Sequence, residues 1–72
     1  MDKENEILFD THEAAEYLKV PARVLEAWRY RHTGPAFIRY NHSKVRYRKR
    51  DLIAWLDART VTPAGHDVAA VA

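Results

Sequence analysis

The sequence predicts a mainly α fold with a small β-hairpin, in the order helix-turn-helix, two-stranded wing and C-terminal helix. Two short amphipathic runs, joined by a proline-containing linker of about three residues, have the spacing of a helix-turn-helix. A Gly-Pro pair then precedes a strand-like alternation of apolar and basic residues. The last amphipathic run contains a tryptophan and predicts the third helix.

Length and composition predict a single small domain. The chain has 72 residues, and we expect a folded domain over residues 7–59 between a flexible N-terminus (1–6) and a flexible C-terminal tail (60–72). It has no cysteine, so it can form neither disulfides nor thiolate metal sites. The acidic N-terminus is unlike a signal peptide, and no apolar run approaches the roughly 20 residues of a membrane span. We therefore expect a soluble cytoplasmic protein.

The first helix is predicted over residues 11–18. Asp10 and Glu13 have the spacing of a capping box, which satisfies free backbone donors at a helix start. The expected apolar face of this helix consists of Ala14, Ala15 and Leu18. Two small alanines on that face allow a second helix to approach closely.

Proline and glycine set the bounds of the second helix. Pro21 cannot continue a helix but is well suited to begin one, so we predict a helix from Pro21 or Ala22 to Tyr30 or Arg31. Val20 is the expected apolar contact between the two helices. Gly34, which can adopt a positive φ, ends the segment together with the proline that follows it.

A hairpin is predicted from strands at residues 37–40 and 44–48 around the turn 41–43. In the second strand, Val45 and Tyr47 share one face while Lys44, Arg46 and Arg48 share the other. We expect Tyr40, Val45 and Tyr47 to pack against the next helix. That helix is predicted from Arg50 or Asp51 to Arg59, with an apolar stripe of Leu52, Trp55 and Leu56. Trp28 and Trp55 are interpreted as core residues rather than stacking platforms.

Charge is unevenly distributed along the chain. Residues 19–50 contain ten Lys or Arg against one acid, Glu26, a net charge of +9. The remaining residues contain two bases against nine acids, a net charge of −7. Such segregation favours a polyanionic partner for the middle of the chain. The alternative is a solvated surface that is merely basic.

The second helix is the candidate reader of DNA bases. Val24, Leu25 and Trp28 should face inward, and a helix fits the major groove of B-form DNA. The predicted contacts from this helix are Ala22, Arg23, Glu26, Ala27, Arg29, Tyr30 and Arg31. Arg23 can bind a guanine, Glu26 can accept from a cytosine amino group, and small Ala27 lets the backbone approach bases. Arg29, Tyr30 and Arg31 suit phosphates, although an ordinary surface helix would show the same pattern.

The hairpin is the candidate wing, which would reach a neighbouring minor groove or the flanking phosphates. The predicted contacts from the wing are Arg39, His42, Ser43, Lys44, Arg46 and Arg48. The alternative is that these charges provide solubility and protect an exposed sheet edge.

The sequence offers no sign of an enzyme. It lacks a glycine-rich phosphate loop, an activated nucleophile and paired catalytic acids, so we expect no catalytic residues. The four histidines lack the spacing of metal ligands: His12, His32, His42 and His66. We expect no metal, no cofactor, no small-molecule ligand and no membrane partner.

Four motifs in order, "EAAEYL", "GPAF", "VRY" and "DLIAWL", give the chain a family resemblance. From about Leu8 to Arg59 it resembles the small excisionase-like, MerR-type winged helix-turn-helix DNA-binding proteins of bacteria and their phages. The resemblance implies a recognition helix at Ala22 to Tyr30 and a basic wing at Arg39 to Arg48. The family often has Gly where Lys19 stands, Ser at position 21, and Ser or Glu at position 50.

The resemblance implies two functions. One is a recombination directionality factor, an excisionase that bends attachment-site DNA, with an integrase and neighbouring copies of itself as further partners. We expect this function first, because the 72 residues contain no sensor domain and no long dimerisation helix. The other is a transcription regulator at a promoter. Either would be associated with the nucleoid of a bacterial host. A third hypothesis, from another class, is a protein-interaction module that never contacts nucleic acid.

Overall fold

The computed structural model describes residues 7–63. Its elements are β1 (Leu8–Phe9), α1 (Thr11–Leu18), α2 (Ala22–Tyr30), β2 (Ile38–Asn41), β3 (Lys44–Arg48) and α3 (Lys49–Ala58). Three helices and an antiparallel hairpin confirm the predicted winged helix-turn-helix. No helix among these residues is long and apolar enough to cross a membrane. The flexible N-terminus expected at 1–6 lies outside the described residues, as do residues 64–72 of the flexible tail expected at 60–72.

The start of α1 follows from its capping box. The Glu13 backbone N–H donates to the Asp10 carboxylate at 2.8 Å, and the Asp10 N–H donates to the Glu13 carboxylate at 2.9 Å. The helix then occupies the predicted range, residues 11–18. It ends at Lys19, which adopts the left-handed conformation with φ 63° and caps the last carbonyl groups of the helix.

The turn between α1 and α2 is the three-residue linker that the sequence predicts. Val20 packs against the core from this turn. Pro21 is the N-cap of α2, with φ −65° and an extended ψ of 148°. Because proline fixes φ near this value, the turn is rigid where it feeds the second helix.

The sheet has three strands in the order β1-β3-β2 rather than the two predicted. The sequence predicted no strand at residues 7–9, but Leu8 pairs with Arg48 and Phe9 with Tyr47. The strand predicted at 37–40 is β2, at residues 38–41. A register shift between Arg39 and Asn41 makes a β-bulge at the intervening residue, Tyr40.

The core lies between the helix pair and the sheet. Its buried residues are Ala14, Ala15, Leu25, Val45, Tyr47 and Leu52. Two expectations about it were wrong: Tyr40 is 53% exposed because the bulge turns it away from the core, and Leu56 is 39% exposed. Ala22, expected on the outward face of α2, also packs against the core cluster.

The two tryptophans join α2 to α3. Trp28 and Trp55 have ring centroids 5.1 Å apart, and Trp28 packs against the core, which agrees with the core interpretation. Gly34 has φ 89°, and a Cβ atom there would lie 2.9 Å from the Cβ of Trp28. Helix α3 starts and ends one residue earlier than predicted, so Arg59 is its C-cap. The guanidinium carbon of Arg59 lies 4.1 Å from the ring centroid of Trp55.

Candidate nucleic-acid interface

An open groove separates α2 from the wing, which we define as β2, β3 and the turn between them. Residues of α2 form one side of this helix–wing groove: Ala22, Glu26 and Arg29. Residues of the wing form the other: His42, Ser43, Val45 and Arg46. The start of α1 closes one end with Asp10, Thr11 and His12. The fold thus brings six of the predicted contact residues to a common groove.

The outward side of α2 continues past this groove. Arg23 is exposed and lies about 60° around the helix from Glu26, since an α-helix advances about 100° per residue. Tyr30, at the last turn, is 88% exposed. Ala27 is partly buried, and Arg31 is exposed just after the helix. Arg23 itself does not line the groove, and Glu26 is the groove residue nearest to it around the helix.

Arg29 connects α2 to the other elements. Its Nη1 atom donates to the Tyr47 hydroxyl at 2.8 Å and to Oγ1 of Thr11 at 3.2 Å. Its guanidinium also lies 5.7 Å from the ring centroid of Phe37. We predicted only a phosphate contact for Arg29, and its structural partners lie in three other parts of the chain. No local pattern pairs Arg29 with residues 18 positions away.

Arg46 and Tyr40 form the outer face of the wing. The Arg46 guanidinium lies 6.0 Å from the ring centroid of Tyr40, and its Nη1 donates to the Val45 carbonyl at 2.8 Å. These two contacts hold the cation at the edge of the groove. The bulge in β2 places Tyr40 on this outer face. The sequence analysis assigned Tyr40 to the core and did not include it among the candidate DNA contacts.

The other wing bases have different surroundings. Lys44 is exposed, whereas Arg48 is partly buried and its Nη1 lies 3.3 Å from Oδ2 of Asp51. A phosphate contact by Arg48 would have to compete with that carboxylate. Arg39 lies beside the ring of Phe37 and lines a second cleft with Arg29 rather than the helix–wing groove. The predicted wing contacts are therefore not one continuous row.

The wing tip is held by its own side chains. The Asn41 carboxamide oxygen accepts from the backbone N–H groups of Ser43 and Lys44 at 2.9 and 3.0 Å. This local bonding fixes the turn, as asparagine commonly does. It leaves the exposed side chains of His42 and Ser43 at the rim of the groove.

The described part of the chain has no candidate metal site. Residues 7–63 contain no group of three or more His, Asp or Glu side chains placed to hold a metal ion. His66 lies outside this range. Arg29 on one side of the groove and Arg46 on the other offer cations to an anionic polymer, and the carboxylates of Asp10 and Glu26 line the same groove.

Comparison with protein families shows to which family the chain belongs. The pattern of a protein family described as a helix-turn-helix domain matches residues 8–60, most of the chain. This range includes both sides of the helix–wing groove. No curated protein and no solved structure matches the chain significantly.

Proposed function

Because this chain belongs to the helix-turn-helix domain family, we propose that it is a sequence-specific DNA-binding excisionase. In this function it binds and bends attachment-site DNA, which helps an integrase to excise a mobile element. Helix α2 reads bases in the major groove while the wing holds the flanking backbone or minor groove.

The observation that carries the proposal is the helix–wing groove. Its two sides come from α2 and from the hairpin, and the segment 19–50 that supplies both has a net charge of +9. A duplex that contacts both sides at once would be held at two points. Bending DNA over such a site costs of order 1 to 6 kcal/mol, which phosphate contacts can offset. Neighbouring copies of the chain on adjacent repeats and an integrase are the partners we propose.

The test combines binding, bending and recombination. Gel-shift titrations on DNA from the borders of the mobile element, with circular-permutation probes, measure affinity and bend angle together. We expect bent complexes, and an excision assay with the matching integrase should lose product when the protein is omitted. Straight complexes and unchanged excision would contradict the excisionase function.

The alternative is a transcription regulator that acts at a promoter without a recombinase. It predicts binding to a promoter, changed transcription from it, and no effect on excision. A reporter assay run beside the excision assay distinguishes the two functions. If the protein binds neither the attachment-site DNA nor the promoter DNA, the protein-interaction module would be favoured instead.

A further inference from the structure

We propose that a second cleft, beside the helix–wing groove, binds one backbone phosphate of the same duplex through Arg29 and Arg39. This two-arginine cleft is formed by the turn at residues 32–36, by Phe37 and by the two arginines. The inference rests on the proposed DNA binding and adds to it a specific contact. The contact positions the duplex and carries no base information.

A single aromatic ring brings the two cations together. The guanidinium carbon of Arg29 is 5.7 Å from the ring centroid of Phe37, and that of Arg39 is 5.4 Å from it. Both arginines also line the same cleft. They come from different elements, α2 and β2, so only the folded chain creates the pair.

A buried tyrosine holds Arg29 in place. Tyr47, which is fully buried, packs its ring 5.9 Å from that of Phe37 and accepts the hydrogen bond from Arg29 at 2.8 Å. Restriction of a long side chain before binding lowers the entropy lost when it contacts a ligand. The planar guanidinium fork also matches the oxygens of a phosphate.

The charge of the cleft favours an anion. Among residues 7–63, neither Arg29 nor Arg39 forms a salt bridge, and no carboxylate lines the two-arginine cleft. The helix–wing groove, by contrast, includes Asp10 and Glu26. Two guanidinium groups that line one cleft without a counter-ion repel each other, and a phosphodiester bound there would lower the repulsion. A phosphodiester is the anion that the neighbouring groove would bring to this place.

The test compares Arg39→Ala with Arg50→Ala as a control of equal charge change. Arg50 is exposed on α3 and lines neither the groove nor the cleft. Affinity for one short duplex is measured over a range of salt concentrations. We expect Arg39→Ala to bind about eightfold more weakly at 0.1 M salt and its log–log salt slope to move about 0.9 toward zero. Arg50→Ala should keep the wild-type slope.

Two further measurements separate this contact from a loss of structure and from a small-anion site. Phe37→Leu keeps apolar volume but removes the ring. Arg39→Ala should therefore cost less affinity in the Phe37→Leu protein than in the wild-type protein. Thermal unfolding checks that each variant is folded. Inorganic phosphate titrated against the Arg39 side-chain NMR signals should bind far more weakly than the duplex, because it lacks the contacts that the neighbouring groove makes with DNA. Tight binding of inorganic phosphate without DNA would overturn the assignment to a duplex phosphate.

The outcomes distinguish this contact from the proposed function. If the wild-type protein binds no duplex, DNA binding itself fails. If it binds with a steep salt slope but Arg39→Ala behaves as Arg50→Ala does, only the two-arginine cleft is rejected.

Discussion

The Nη1 atom of Arg29 donates a 2.8 Å hydrogen bond to the hydroxyl oxygen of Tyr47, which links the last turn of α2 to β3. Arg29 lies on the helix side of the helix–wing groove, and Tyr47 lies in the wing with its side chain fully buried. The bond therefore fixes the spacing between the two elements that we propose to hold DNA.

Replacement of Tyr47 by Phe should reduce the free energy of unfolding by about 1 to 2 kcal/mol. The substitution keeps the ring in the core but removes the acceptor for a charged donor, and Arg29 is partly exposed, which limits the loss. Urea denaturation measures it. Tyr40→Phe is the matched control, because the Tyr40 side chain is 53% exposed, and its change should stay within about 0.5 kcal/mol. Equal effects of the two substitutions would contradict this role for the bond.

Replacement of Lys19 by Gly should raise the free energy of unfolding by about 0.5 to 1 kcal/mol. Lys19 has φ 63°, a conformation that costs a side-chain-bearing residue about 1 to 2 kcal/mol, and the greater freedom of unfolded glycine offsets part of the gain. Glu16→Gly, at an exposed position inside α1, should instead destabilise by about 1 kcal/mol. Thermal unfolding of both variants checks this; destabilisation by Lys19→Gly would be inconsistent with the observed turn.

Replacement of Trp28 by Ala should cost about 3 kcal/mol or more and leave little folded protein. Trp28 packs on the core cluster and on Trp55, and Gly34 lies against its side chain. Tyr30→Ala removes a ring of similar size two residues later, where the side chain is 88% exposed. Far-ultraviolet circular dichroism should show a folded Tyr30→Ala protein and an unfolded Trp28→Ala protein. A well-folded Trp28→Ala protein would exclude the tryptophan pair as the link between α2 and α3.

Replacement of Arg23 by Ala should relax sequence preference more than it weakens binding to unrelated DNA. A bidentate arginine–guanine contact is worth roughly 1 to 3 kcal/mol of discrimination. Competition between the preferred duplex and a scrambled one measures the change. Arg46→Ala should lower affinity for both duplexes about equally, since we assign Arg46 to the backbone. An unchanged preference in Arg23→Ala would remove Arg23 from the base-reading set.

The helices were predictable from sequence because their ends carry chemical signals. The capping pair Asp10 and Glu13 and the proline at position 21 mark where α1 and α2 begin, and both helices start within a residue of the predicted positions. Strand β1 was missed because two residues are too few to show alternation. Tyr40 was wrongly assigned to the core because a β-bulge changes which face of the strand a side chain occupies. No residue pattern in the strand predicts the bulge.

The candidate site was predictable in part. Charge segregation pointed to α2 and the wing, and the groove brings residues of both together. The bonds from Arg29 to Thr11 and Tyr47, and its contact with Phe37, depend on the folding of distant segments against each other. These contacts could not be predicted from the sequence.

Salt dependence of duplex binding tests the central claim most directly. If α2 and the wing together neutralise about five phosphates, log K should fall with log salt at a slope of about −4.5. Arg46→Ala should move the slope toward zero by about 0.9 while the protein remains folded. A flat salt response of the wild-type protein would contradict the claim that these two elements hold one duplex.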